Sequence, residues 1–190
     1  MKENFDKSLI NILKYEGKFS NYKADKGGPT NQGITLKTLQ QYYGETGWGD
    51  FDADGDVDID DIIALDTPEE AAPIYKAWFW DVLDLDNYLS GIDFLMFDFA
   101  VNSGPRNAKI ILQKSLNKLG CGLEVDGILG RKTIRSLQQV DRELLIKMML
   151  NERDIFYRKI VANDHTQEIF LKGWLNRIAN LAVDVRAFMP

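Results

Sequence analysis

Glu16 and Asp25 are the residues whose types and spacing most directly point to chemistry. Glu16 follows an amphipathic run in which Phe5, Leu9, Ile12 and Leu13 share one face, and Gly17 supplies a stop signal. The C-terminal end of a helix carries partial negative charge and favours cations by about 0.3–1 kcal/mol. A carboxylate at that end is expected to hold its proton more tightly, as a general acid requires. Tyr15 and Phe19 flank it, and partial burial would act in the same direction. Asp25 stands across a glycine-rich loop. Glycosidic bonds are commonly cleaved between two carboxyl groups, one protonating the leaving oxygen and the other activating water or attacking carbon. Thr30, Gln32 and Thr35 supply hydroxyl and amide groups able to orient water or sugar hydroxyls. The same residues admit a plainer reading: a solvated glutamate near a helix end, and an aspartate in the turn before Gly27-Gly28.

A second cluster points to a metal. Residues 50–61 carry seven aspartates and no base, and without those seven the net charge of −6 would become +1. The spacing fits a twelve-residue EF-hand loop. Asp50, Asp52, Asp54 and Asp58 fall at oxygen-ligand positions 1, 3, 5 and 9, and Asp56 offers its carbonyl at 7. Gly55 sits where the sharp turn needs it, Val57 is the apolar contact, and Asp61 takes the last position in place of glutamate. A structural Ca²⁺ is the expected relief for so many crowded carboxylates. The alternatives are a solvated acidic loop, or a calcium-dependent docking module, although such modules pair two loops and this chain has one.

The elements that must position these groups read as mainly helical. Residues 18–34 form a loop or short hairpin, and Thr35 opens a helix to about Tyr43. Ile62–Leu65 continues helically after the acidic loop. Thr67-Pro68-Glu69-Glu70 is a capping box that starts a helix to about Trp80. Ile92–Val101 reads as a buried helix, broken by Asn102-Ser103-Gly104-Pro105. Further helices are expected over 106–119, 131–138, Asp141 to about Ile160, and 167–187. The expected organisation is two lobes with a hinge near residue 90: a hydrolase part at 1–90 carrying the insertion at 50–61, and a helical part at 91–190. Asp98 and Asn102 share one helical face, as a satisfied core pair or as a cleft wall that hydrogen-bonds N-acetyl sugars. Trp78, Trp80 and Trp174 serve as packing residues or as stacking platforms for sugar rings.

Several function classes are excluded or disfavoured. A lone Cys121 forbids an internal disulfide, and a lone His165 argues against a zinc peptidase built on two or three histidines. No run of about 18 apolar residues suggests a spanning helix, and no basic stripe suggests nucleic acid. The N-terminal residues lack a signal-peptide pattern. The expectation is a monomer made in the cytoplasm, reaching its site of action by release or by another export system.

Two segments carry a family resemblance. Tyr15-Glu16-Gly17-Lys18-Phe19, then Asp25-Lys26-Gly27-Gly28-Pro29-Thr30-Asn31-Gln32-Gly33-Ile34-Thr35, resemble glycoside hydrolase family 108. That signature reads E-G-G-Y and then D-x-G-G-x-T-x-x-G-I-T. The second half matches at every fixed position, while Lys18 and Phe19 depart from the first. Phe97–Pro105, Asp126–Thr133 and Phe170–Arg177 resemble the predicted peptidoglycan-binding domain that accompanies this family. The resemblance implies a lysozyme-like, two-lobed fold and an N-acetylmuramidase cleaving peptidoglycan glycan strands, with Glu16 as the catalytic glutamate. Similarity to the Glu–Asp–Thr order of family 24 phage lysozymes adds Asp25 and Thr30 as partners. Some members are known as secretion activators, so a non-catalytic wall-binding or secretion-assisting protein is the alternative, and Lys18 and Phe19 favour it.

Overall fold

The structure, a computed structural model, describes residues 4–17, 19–21 and 28–189. Lys18 and Asp25 lie outside the described residues. The chain forms two compact units, Phe5–Trp78 and Phe79–Pro190, the second also taking in Asn4.

In the Phe5–Trp78 unit, α1 (Asn4–Leu13) buries Phe5, Leu9 and Ile12 along one face. It stops three residues before Glu16; a tightened turn follows, in which Tyr15 N donates to Ile12 O at 2.9 Å. Next comes the expected short hairpin. β1 (Thr30–Asn31) pairs antiparallel with β2 (Ile34–Thr35), Thr30 opposite Thr35 and Asn31 opposite Ile34. Its two-residue turn, Gln32-Gly33, has φ of 50° and 73°, the positive values that tight hairpin turns demand. The hydroxyl of Thr35 accepts from Thr38 N and caps α2 (Leu36–Thr46), which closes on Gly47 in the left-handed conformation.

The acidic loop runs into α3 (Ile59–Ala64), and the capping box at Thr67 starts α4 (Pro68–Tyr75). Pro73 deprives α4 of one backbone donor, and the helix gives way to a π-helical turn, Lys76–Trp80. Leu9, Ile12, Leu39, Ile62, Leu65 and Ile74 make the core of this unit.

The other unit is built around α5 (Ile92–Ser103). Every residue from Ile92 to Ala100 is buried, so the helix is enclosed all round rather than on one stripe. α6 (Pro105–Lys118) packs on α5 and on α8 (Arg142–Asn163), α8 packs on α9 (Glu168–Asp184), and α7 (Arg131–Leu137) lies against α6. Trp80 meets Phe97 edge-on at 5.2 Å and donates its indole N–H to Asp86, which ties residues 80–90 to α5. The division between units therefore falls at Trp78/Phe79, against the expected hinge near residue 90. Asp126 and Gly127 build a turn onto α6: Gln113 donates to Asp126 Oδ1 and accepts from Gly127 N, both at 2.8 Å. Among the described residues no helix is long and apolar enough to cross a membrane. The fold is mainly α, as expected.

Candidate active site

Glu16 sits just beyond α1, half-buried, its backbone N–H donating to Leu13 O at 3.3 Å. Its carboxylate lies against the hairpin turn. A Cβ built on Gly33 would stand 3.1 Å from Glu16 Oε2 and 2.6 Å from the Tyr75 hydroxyl. Gly33 is thus required twice, once by its positive φ and once by this close approach. The Tyr75 hydroxyl donates to Gln32 O at 2.9 Å, clamping the turn from α4. Glu16, Gln32, Gly33 and Tyr75 therefore form one group. Tyr75 was not legible in the sequence, because nothing in its own segment marks a partner 43 residues away.

The hairpin's polar side chains are largely committed to the fold. Thr30 Oγ1 donates to Gly28 O at 3.1 Å. Buried Asn31 donates to Ile62 O at 3.1 Å and accepts from Gln32 N. Gln32 Nε2 donates to Asp66 O at 2.6 Å, and Thr35 spends its hydroxyl on the α2 cap. Both side chains hold the hairpin against its neighbours.

The acidic loop brings together carboxylate oxygens of Asp50, Asp52 and Asp54, all within 4.8 Å of one another. Gly55 has φ of 102°, and Val57 is buried. Asp61 is buried too, and accepts from Phe51 N at 2.5 Å and Asp58 N at 2.9 Å, so it locks the two ends of the loop. Asp58 caps α3, and its Oδ1 accepts from Asp60 N. Desolvation, then repulsion from Asp54, Asp61 and Asp50, raises the Asp52 pKa above the usual carboxylate range; repulsion from Asp54 is the leading cause of the same shift at Asp56.

Asp98 and Asn102 belong to a buried network. Asp98 has no exposed side-chain surface. Its Oδ1 accepts from Arg153 Nη1 at 2.5 Å, and its Oδ2 from Arg177 Nη2 at 2.8 Å and Nε at 3.0 Å. Tyr157 accepts from Arg153 Nε and donates to Asn102 Oδ1. Burial pushes the Asp98 carboxyl up, but the two guanidinium groups outweigh it and hold its pKa below the usual range. The cleft-wall reading of Asp98 is corrected: with both oxygens occupied and no solvent face, it is a core anion. Asn102 is half-exposed, and its Oδ1 is taken by Tyr157 and by Ser103 Oγ. Trp174 stacks on Tyr157 at 4.9 Å, a packing role, while Phe170 beside it is half-exposed. Arg153 and Tyr157 escaped the sequence reading. Their four-residue spacing on α8 repeats that of Asp98 and Asn102 on α5, and that was the available signal.

Comparison with known proteins follows the same division of labour. A family model for glycosyl hydrolase 108 matches residues 9–104, the stretch that holds Glu16, the hairpin and α5. A model for a predicted peptidoglycan domain matches residues 107–179, covering most of α6, all of α7 and α8, and most of α9. No curated protein matches the chain. Among solved structures, that of Brucella abortus SagA is similar at 29% identity, with a TM-score of 0.74 over 99% of this chain and 97% of that one. On the match to half its length, the chain belongs to the glycosyl hydrolase 108 family, a family of peptidoglycan-related glycosidases.

Proposed function

We propose that the protein is an N-acetylmuramidase that hydrolyses the β-1,4 bond between N-acetylmuramic acid and N-acetylglucosamine in peptidoglycan. The observation that carries this reading is the seating of the Glu16 carboxylate on the Gly33 turn, inside the family-matched segment. Glu16 gives its proton to the glycosidic oxygen as the carbon–oxygen bond breaks. Water supplies the hydroxyl that replaces it, and its released proton restores the acid. Asp25, outside the described residues, is the second carboxyl group in this proposal, and Thr30 orients the water from β1. The protein acts as a monomer on wall reached by lysis or by another export system.

The acidic loop takes a structural Ca²⁺ in the same proposal. The clustered oxygens of Asp50, Asp52 and Asp54 support it, with Asp58, Asp61 and the Asp56 carbonyl completing the set. The ion's part is to neutralise the loop, not to take part in hydrolysis.

The test is mass spectrometry of soluble products from purified peptidoglycan treated with wild type and Glu16→Gln. Fragments with a muramic-acid reducing end are expected from the wild type alone. A folded wild type that binds wall and releases no fragments would instead favour the non-catalytic, secretion-assisting reading.

A further inference from the structure

The seam between α6 and α8 forms a shallow, open groove bordered by Lys114, Lys118 and Lys159, with Glu152, Val125 and Ile155 along it. Three ammonium groups face one carboxylate here, a local excess of positive charge on a chain whose net charge is −6. Among the described residues, Lys114 and Lys159 have no carboxylate within ion-pair reach. Lys118 is 58% exposed and stands 3.9 Å from Glu152 Oε1. Asn117 braces the rim by bonding both the N–H and the carbonyl of Leu123.

Glu152 is the unusual member. Its side chain is only 7% exposed, and Oε1 receives no hydrogen bond. One oxygen of a nearly buried carboxylate, with a cation at 3.9 Å but no hydrogen-bond donor, is costly as a purely structural element. At the base of a groove it becomes a fixed negative pole beneath a positive rim. Such a site selects a ligand with carboxylates spaced along its length and an amine between them. Val125 and Ile155 add apolar surface for small methyl groups.

We propose that this groove binds the short peptide stems of peptidoglycan, Lys114 and Lys159 taking stem carboxylates and Glu152 drawing in the diamino acid's ammonium beside Lys118. Stems carry that alternation of D-glutamyl carboxylate, side-chain amine and D-alanyl carboxylate. The groove lies within the segment matched as a predicted peptidoglycan domain. The proposal rests on the reading that wall is the substrate, and it adds a contact to the peptide rather than to the glycan.

The probe is the pentapeptide L-alanyl-γ-D-glutamyl-L-lysyl-D-alanyl-D-alanine, titrated into the full chain and followed by amide resonances of α6 and α8. Controls are the same peptide with its carboxylates amidated, and poly(glycerol phosphate). Binding that weakens with salt is expected. The double variant Lys114→Gln/Lys159→Gln, shown folded by its thermal melt, should bind about tenfold more weakly, the scale of two partly exposed ion pairs. No perturbation on α6 and α8, equal binding of the amidated peptide, or stronger binding of the phosphate polymer would each overturn the proposal. The readout needs no hydrolysis. An inactive protein that still binds the peptide would sink the muramidase reading alone, and an active protein indifferent to the peptide would sink this one alone.

Discussion

Gly33 shows how tightly the site depends on single atoms. Replacing it with alanine forces a side chain into positive φ and drives a Cβ against the Tyr75 hydroxyl and the Glu16 carboxylate. Gly33→Ala should cost about 1–3 kcal/mol of stability and remove most wall-cleaving activity, measured by urea denaturation and product release. Adding Tyr75→Phe removes the nearer clash, so the double variant should recover part of the stability, which a double-mutant cycle will report. Asp98 carries a different prediction. Asp98→Asn leaves two buried guanidinium groups short of their counter-charge and should destabilise the fold by about 3–5 kcal/mol. The folded-state pKa of Asp98 is depressed, so its stabilisation is complete above its unfolded value of about 3.9 and fades as pH falls through the folded one. An acid-denaturation profile should therefore be flatter in the variant than in the wild type. Glu16 was legible because it stands in a dense local motif. The Arg153 and Arg177 partners of Asp98 were not, since they lie 55 and 79 residues away and only packing brings them in.

The elements tell a similar story at longer range. The buried α5, the hairpin and the capping box at Thr67 were readable, because apolar runs, glycine turns and caps are local signals. The end of α1 was not. Gly17 suggested a stop next to Glu16, but the helical ladder closes at Leu13 and a short turn carries the chain on. The acidic loop is the element most sensitive to conditions. Its raised Asp52 and Asp56 carboxyls mean that the cation-free fold binds protons more tightly than the unfolded chain, so it gains stability as pH falls through their folded pKa values. The proposed Ca²⁺ would relieve the same repulsion as protons do. Addition of Ca²⁺ should raise the thermal midpoint at pH 7 and much less at pH 4, and chelator should reverse the gain. A midpoint indifferent to Ca²⁺ at both values would leave the loop as an ordinary acidic surface.

At the scale of the whole chain, the two compact units and the two family matches divide it at different places. The hydrolase match runs to residue 104, well past the unit boundary at Trp78/Phe79 and through the whole of α5. A fragment ending at residue 104 would expose the buried helix that α6 and α8 cover. Such a fragment should be insoluble or should bind hydrophobic dyes, while the full chain should do neither; a soluble, cooperatively melting fragment would contradict this.

Asn4 gives the chain an order of events as well as a shape. Its amide donates to Ser90 Oγ and Asp93 Oδ2, both at 2.7 Å, across sequence separations of 86 and 89 residues. On a ribosome adding about 5–20 residues per second, those partners arrive roughly 4–18 seconds after Asn4 itself. Asn4 must wait that long for these partners, while Leu9, Ile12, Leu39 and Ile74, all buried in the finished fold, have already been made. Asn4 is thus among the last residues of its segment to be fastened during synthesis.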